Sequence, residues 1–272
     1  MPLRPAHATE LARLHHGEQP LIVLNAWDPG SAAIAERVGG HCVGTTSGGV
    51  AAAHGYQDGE RIPRDVMLAA VERIAAATTL PLTADLEGGY GATPEAVGET
   101  IRLALEIGVA GFNLEDSHPA ERRAAGGAPL RTMAEQCERL RAAREACESL
   151  GVRDAVINAR VDVFLREIGE PEQRLDLALE RAEAYVAAGA SCLFPIGLKD
   201  RETIGAFTAG AKAPVNILYL PGVPPLADLS ALGVRRVSLG TGWHRLALGA
   251  AESAARAVIA EGKLERIWET PA

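Results

Sequence analysis

The chain has 272 residues, of which 47% are hydrophobic and 23% charged, and this balance excludes wholesale disorder. A formal net charge of −8 excludes bulk electrostatic attraction to nucleic acid or to an anionic membrane surface, so we expect neither as a partner. The polar N-terminus, the lack of a long apolar run and four scattered cysteines without a C-x-x-C pair predict a cytoplasmic protein with reduced thiols.

Short apolar runs alternate with helical patterns along the whole chain. In chain order the runs are residues 21–25, 42–46, 80–87, 110–116, 155–162, 190–195, 213–219 and 234–240. The segments between them carry apolar residues three and four apart, which is typical of helices. This strand-and-helix unit, repeated eight times, predicts an α/β fold, a parallel sheet closed into a (β/α)8 TIM-type barrel. No linker divides the chain, so we predict a single barrel domain over residues 1–272.

Three connections are unusually rich in glycine or polar residues, and each follows the C-terminal end of a predicted strand. They are residues 46–62, residues 117–131 and the LPGVPP stretch after the seventh strand. Active sites of such barrels lie at this face, so we expect these segments to border one. The last helical segment, about residues 242–262, is Ala-rich and apolar on more than one side, which predicts packing beyond its own barrel.

Three carboxylates fall at the ends of the third and fourth predicted strands. Asp85 and Glu87 stand two residues apart in one strand, so we expect their side chains on the same side, and Glu115 ends the next strand. Carboxylates confined at one barrel mouth repel each other, and Mg²⁺ or Mn²⁺ would relieve the repulsion. The alternative is that they are salt-bridge partners at the barrel mouth.

Arg160 ends the fifth predicted strand and is expected to point into the same mouth. A guanidinium there can bind a carboxylate or stabilise a developing enolate, and the alternative is a structural ion pair with Glu87 or Glu115.

The segment after the second strand offers groups that could bind a carboxylate. Ser47, Gly48 and Gly49 supply a hydroxyl and approachable backbone N–H groups. Asp58 follows in the same connection and either reaches the water shell of a cation or is a solvated turn residue.

Taken together, the motifs TSGGVAAAHGYQD, DLEGGYG, GFNLEDS and INARVD, with Phe-Pro at the sixth strand, resemble the isocitrate lyase/phosphoenolpyruvate mutase superfamily over nearly the whole chain. The resemblance implies a barrel that exchanges its eighth helix with a neighbour, a homodimer or homotetramer, and Mg²⁺. It also implies a small 2-oxo or 2-hydroxy acid as ligand and a gating loop at about residues 117–131, where Arg122, Arg123 and Arg131 are expected at the rim.

The resemblance also implies roles for individual residues. Those of the metal site, some acting through water, are Asp85, Glu87 and Glu115. Those of the substrate site are Thr45, Ser47, Gly48, Gly49, Asp85, Arg160 and Asn216. Those of catalysis are Arg160, Asp58 and Glu115.

This sequence departs from the pattern of several relatives. The loop 117–131 lacks the acid Cys of the citrate-type lyases and the Asn of the mutases, Thr45 replaces a Tyr, and Ile196 replaces a Glu. We therefore expect a Mg²⁺-dependent lyase or decarboxylase of a small 2-oxo or 2-hydroxy di- or tricarboxylate, with an enolate-like intermediate. The alternatives are a phosphoenolpyruvate mutase- or phosphonopyruvate hydrolase-like enzyme and a non-catalytic 2-oxo acid binder.

Overall fold

The computed structural model describes residues 3–119 and 129–268. All eight predicted strands are present, and each is parallel to its neighbours. They are β1 (Leu21–Ala26), β2 (Val43–Thr45), β3 (Leu82–Asp85), β4 (Gly111–Glu115), β5 (Val156–Arg160), β6 (Cys192–Phe194), β7 (Asn216–Leu218) and β8 (Arg236–Ser238).

The sheet closes on itself. The strand order is β6-β5-β4-β3-β2-β1-β8-β7, and the two outer strands meet at a parallel bridge between Leu193 and Val215. The backbone N–H of Leu193 donates to Pro214 O at 2.9 Å beside this bridge. The predicted (β/α)8 barrel is therefore confirmed.

Helices separate the strands. They are α1 (Pro5–Leu14), α2 (Pro29–Arg37), α3 (Ser47–Ala53), α4 (Arg64–Ala76), α5 (Pro94–Glu106), α6 (Met133–Ser149), α7 (Arg174–Ala187), α8 (Arg201–Gly210), α9 (Leu226–Ala231) and α10 (Gly242–Glu261). None of the helices in this described part of the chain is long and apolar enough to cross a membrane.

Local sequence signals fix where several helices begin. Asp28 caps α2 and Thr132 caps α6, each in a reciprocal capping box with the residue three positions later. Thr93 caps α5, where Pro94 follows at the first helical position and has no N–H to leave unpaired. These caps explain where α2, α5 and α6 begin.

The helix α1 covers the opposite end of the barrel. Ala8 and Leu11 are fully buried, and a Cβ built on Gly111 of β4 would come within 2.8 Å of Leu11 Cδ2. The N-terminal ends of the strands are thus closed, and the open mouth lies at their C-terminal ends.

The helix α10 matches the predicted C-terminal segment and packs little on its own barrel. His244 is its buried residue, whereas Leu246, Leu248 and Ile259 are 71%, 56% and 87% exposed. Trp268, just beyond the helix, is 88% exposed. This apolar surface accords with the expected helix exchange, which stays a prediction.

Candidate active site

Asp85 stands at the centre of the barrel mouth. Its Oδ2 accepts hydrogen bonds from Ser47 N at 3.2 Å and Ser47 Oγ at 2.9 Å, and its Oδ1 accepts from Asn113 Nδ2 at 3.3 Å. Its own backbone N–H donates to Thr45 Oγ1 at 2.8 Å. The predicted substrate residues Thr45 and Ser47 therefore meet the predicted metal ligand Asp85, and Ser47 directs both of its donors at that carboxylate.

The two glycines after Ser47 are required by close packing. A Cβ on Gly48 would lie 2.8 Å from Thr241 Cγ2 and 3.1 Å from Asp58 Oδ2. A Cβ on Gly49 would lie 2.6 Å from Thr46 Cγ2, which is closer than real contacts allow. The structure thus brings Asp58 against the backbone at Gly48, a contact that the sequence did not predict.

Asp58 carries a perturbed carboxyl group. Its pKa is raised, first because the surrounding atoms partly remove it from water and second because Asp85 is nearby. Asp58 is nonetheless an exposed residue, so its place in the site rests on geometry, namely the 3.1 Å between its Oδ2 and the position of a Cβ on Gly48.

Glu87 reaches the mouth by a route that the sequence did not predict. The expectation that it shares a strand face with Asp85 is wrong, because β3 ends at Asp85 and Glu87 lies in the turn with a left-handed φ of 52°. Tyr90 Oη donates to its Oε1 at 2.8 Å, and Glu60 N donates to its Oε2 at 2.6 Å. These two bonds fix a carboxylate that is only 3% exposed.

The environment of Glu87 opposes its negative charge. Burial, followed by the charges of Asp58 and Asp85, raises its pKa to about 8. Asp58 and Asp85 thus both disfavour the charged form of Glu87. The sequence predicted repulsion among Asp85, Glu87 and Glu115, and Glu87 and Asp85 do contribute to the raised pKa of Glu115.

Arg160 and Glu115 form an ion pair at the ends of β5 and β4. Glu115 Oε2 contacts Arg160 Nη1, and Arg160 also donates from Nε and Nη2 to the two oxygens of Asp162 at 3.1 and 2.8 Å. Burial raises the pKa of Glu115, with Asp162, Glu87 and Asp85 adding to the shift and Arg160 opposing it. One guanidinium is thus held by two carboxylates beside the Asp85 cluster.

A hydrogen-bond chain continues from Asp162 to the base of the predicted gating loop. Ser117 Oγ donates to Asp162 Oδ2 at 2.6 Å, and Asp162 N donates to Asp116 Oδ1 at 2.9 Å. Ser117 also forms an antiparallel bridge with Leu130. The two ends of the loop are therefore joined to each other and to the residue that holds Arg160.

The loop arginines divide into two groups. Arg122 and Arg123 lie outside the described residues. The expectation that Arg131 lies at the rim is wrong, because it is 4% exposed and its Nη1 donates to Glu115 O at 3.2 Å and to Ser117 O. Burial of its guanidinium among backbone carbonyls makes Arg131 a fixed part of the loop base.

Asn216 is the predicted substrate residue that the structure leaves apart from this network. It is fully buried on β7, and neither its Oδ1 nor its Nδ2 has a hydrogen-bond partner. It lies inside the barrel and is available to a ligand that reaches below the mouth.

The residues present fit a hard cation held partly through water. Across residues 3–119 and 129–268, no three acidic, His or Cys side chains converge closely enough to hold a metal directly. The donors at the mouth are nonetheless carboxylate oxygens. Burial first, and neighbouring carboxylates second, raise the pKa values of Asp58 and Glu87, and a cation would oppose both effects. Asp85 would hold such an ion, and Asp58, Glu87 and Glu115 would reach it through its water shell.

Sequence reasoning missed several residues of the site. Tyr90 and Glu60 fix Glu87, Asn113 donates to Asp85, and Asp162 holds Arg160. Asp162 could have been found, because it stands in the same INARVD motif at the same strand end as Arg160. Glu60 could not have been found, because its contact with Glu87 is made by its backbone N–H and it lies in a connection without a regular sequence pattern.

Comparison with known proteins gives a consistent result. The family model described as phosphoenolpyruvate phosphomutase matches residues 11–259. The 2-methylisocitrate lyase of Escherichia coli is 31% identical over 225 residues, covering 82% of this chain and 73% of the relative. An oxaloacetate decarboxylase of Rhodopseudomonas palustris is 32% identical over 196 residues, covering 70% and 62%.

A solved structure agrees with these relatives. A phosphonomutase-type protein of Burkholderia cenocepacia superposes with a TM-score of 0.86 at 42% identity, covering 92% of this chain and 99% of that one. The chain therefore belongs to the phosphoenolpyruvate phosphomutase family, within the isocitrate lyase/phosphoenolpyruvate mutase superfamily of enzymes that act as lyases and mutases.

Proposed function

We propose that the protein is a Mg²⁺-dependent lyase or decarboxylase of small 2-oxo or 2-hydroxy di- or tricarboxylates, with Mn²⁺ as a possible substitute, and that it forms an enolate-like intermediate. The observation that carries this proposal is the meeting of Asp85, Asp58 and Glu87 with the Arg160–Glu115 pair at one barrel mouth. The buried, unpaired thiols of all four cysteines support a reducing, cytoplasmic location.

The bound cation would supply positive charge beside the 2-oxo or 2-hydroxy oxygen and so lower the energy of charge that develops there. In the free protein the Ser47 hydroxyl and N–H bind Asp85. Once Asp85 has another partner, these donors become available to a substrate carboxylate next to Gly48 and Gly49.

Arg160 would stabilise the negative charge left on the substrate when the carbon–carbon bond breaks. Its guanidinium is preorganised for this task, because Glu115 and Asp162 fix its plane before a ligand binds. Preorganised charge is effective because little reorganisation is needed during the reaction.

The relatives support this class of reaction. Proteins named 2-methylisocitrate lyase and oxaloacetate decarboxylase are more than 30% identical to the chain. A second candidate is phosphorus–carbon chemistry, which the 42% identity to a phosphonomutase-type structure favours. A third, a binder without turnover, rests on the missing loop Cys and Asn.

A panel of acids distinguishes the three candidates. Oxaloacetate, 2-methylisocitrate, 2,3-dimethylmalate and phosphonopyruvate would each be incubated with protein and Mg²⁺. Formation of pyruvate, phosphate and phosphoenolpyruvate would be measured beside thermal shift. Turnover of a carboxylic acid supports the proposal. Turnover of phosphonopyruvate alone, or stabilisation without any turnover, would replace it by the second or third candidate.

Arg160→Gln provides the control for contaminating activity. It keeps a polar but shorter side chain and removes the charge that the proposal requires. We expect it to lose turnover, and an unchanged rate would remove Arg160 from the reaction.

A further inference from the structure

Below the mouth, the interior of the barrel contains a second cluster of polar side chains. Thr83 of β3, Asn158 of β5 and Asn216 of β7 come from alternate strands, which supply one layer of side chains in this fold. Arg236 of β8 is the register partner of Asn216 on the neighbouring strand, so their side chains lie on the same, inner side.

The polar atoms of this cluster are buried without partners. They are Thr83 Oγ1, Asn158 Oδ1, both side-chain polar atoms of Asn216, and Nε and Nη1 of Arg236. All four side chains are at least 98% buried. Buried polar atoms are nearly always hydrogen-bonded in proteins, so this concentration requires an explanation.

Arg236 adds a buried positive charge to this cluster. An arginine side chain stays protonated in proteins, so a full positive charge lies inside the barrel. Among residues 3–119 and 129–268 no carboxylate forms an ion pair with it, and Asp85 acts on it only at longer range. Water could satisfy the N–H groups, but only an anion balances the charge, and an unbalanced buried charge is strongly unfavourable.

The remaining groups suit a small anion. The Asn216 amide and the Thr83 hydroxyl are two further buried hydrogen-bond donors that have no partner. The floor is closed by Leu11 and by His15, whose Nδ1 lies 2.7 Å from Leu11 O. Burial, followed by the charge of Arg236, lowers the pKa of His15 to about 3, so His15 adds no charge at neutral pH.

We propose that the barrel interior below the active-site mouth binds a small inorganic anion of halide size, held by the Arg236 guanidinium with the Asn216 amide and the Thr83 hydroxyl. The anion would balance a positive charge that the described residues leave without an ion-pair partner. It is distinct from the substrate-carboxylate site at Ser47–Gly49, which faces Asp85 and Asp58.

Bromide is the probe for a direct test. Crystals grown in sodium bromide should show an anomalous difference peak in hydrogen-bond contact with Arg236 Nε or Nη1. A data set without such a peak inside the barrel, at a bromide concentration that saturates the thermal shift described next, would overturn the proposal.

Thermal stability gives the solution test. The melting temperature of the wild-type protein should rise saturably with sodium bromide relative to sodium gluconate at equal ionic strength, because gluconate is too large for the closed interior. Arg236→Met should abolish the difference between the two salts. Arg235 is a partly exposed arginine just before β8. The matched control Arg235→Met should retain the difference in melting temperature between the two salts.

A bromide response that persists in Arg236→Met would overturn the assignment to this residue. If that variant fails to fold, Asn216→Leu replaces it in the same comparison. We expect Asn216→Leu to lower the apparent affinity for bromide at least tenfold, and an unchanged affinity would count against the site.

Discussion

Asp162 accepts two hydrogen bonds from Arg160, at 3.1 and 2.8 Å, and a third from Ser117 Oγ at 2.6 Å. The residue that orients the guanidinium is thus also the one that anchors the base of the loop 117–131. A disturbance of either partner is transmitted to the other through a single carboxylate.

Asp162→Asn should lower kcat by about tenfold, a loss of about 1.4 kcal/mol of transition-state stabilisation, because an amide keeps the shape but only one acceptor oxygen. KM should change less, since the substrate-carboxylate site at Ser47 is untouched. Steady-state kinetics on the acid that turns over in the panel measure this. Asp176→Asn, exposed on α7, is the control, and equal kcat values for both variants would show that Asp162 does not position Arg160.

Asp85→Ala should behave like the wild-type protein in excess chelator. Mg²⁺ added to chelator-treated wild type should raise the melting temperature, because the ion binds the folded state alone and offsets the repulsion among the mouth carboxylates. Differential scanning fluorimetry checks this. The exposed Asp154→Asn should retain the Mg²⁺ response, and a full response in Asp85→Ala would refute the metal assignment.

The stability of the metal-free protein should fall as pH rises from about 5 to about 8. Glu87 holds its proton up to about pH 8 in the folded protein, whereas the unfolded chain releases it near 4.5. The folded state therefore binds more protons in this window, and the free energy of unfolding decreases with rising pH.

Urea titrations in chelator across this pH range measure the effect. Glu87→Gln should flatten the dependence, while the exposed Glu145→Gln should leave it as in wild type. An unchanged slope in Glu87→Gln would assign the dependence to other groups.

The exposed apolar side chains of α10 predict an oligomer. We expect a dimer formed by exchange of this helix, paired into a tetramer, in multi-angle light scattering at micromolar concentration. The double variant Leu246→Glu with Ile259→Glu should dissociate it, since both residues are more than 70% exposed in the single chain. The control variant Glu252→Gln, on the same helix, should leave the oligomer intact. A monomeric wild-type protein would contradict the prediction.

Thiol alkylation should leave activity intact. All four cysteines are buried, and burial raises the pKa of Cys42 and Cys192 to about 12 and that of Cys147 to about 11. Little nucleophilic thiolate is therefore present near neutral pH. Residual activity after iodoacetamide at pH 7.5, with mass spectrometry of the labelled sites, measures this, and rapid inactivation with one site labelled would reveal a reactive thiol.

The fold was predictable because strand and helix periodicities repeat with little interruption. The ends of the strands were less predictable than the fold. The run 213–219 predicts a longer β7 than the observed Asn216–Leu218. Apolar residues indicate burial, but they do not indicate where strand pairing ends. The same limitation placed Glu87 on a strand that ends at Asp85.

The site residues that lie at the ends of strands could be predicted from the sequence. Asp85, Glu115 and Arg160 lie at or beside the last residues of β3, β4 and β5, and strand order alone brings them together. The buried position of Arg131 could not be predicted. Its guanidinium donates to the backbone carbonyls of Glu115 and Ser117, and no pattern of side chains indicates such contacts.

The bridge between Ser117 and Leu130 makes the chain that it encloses a replaceable module. The bridge and the hydrogen bond of Ser117 to Asp162 fix the base of this segment, and the entropy of closing the enclosed chain grows only slowly with its length. The barrel and the chain enclosed by this bridge can therefore diverge at different rates during evolution. Grafting the residues between His118 and Pro129 from one relative into another offers a way to exchange substrate preference while the scaffold stays constant.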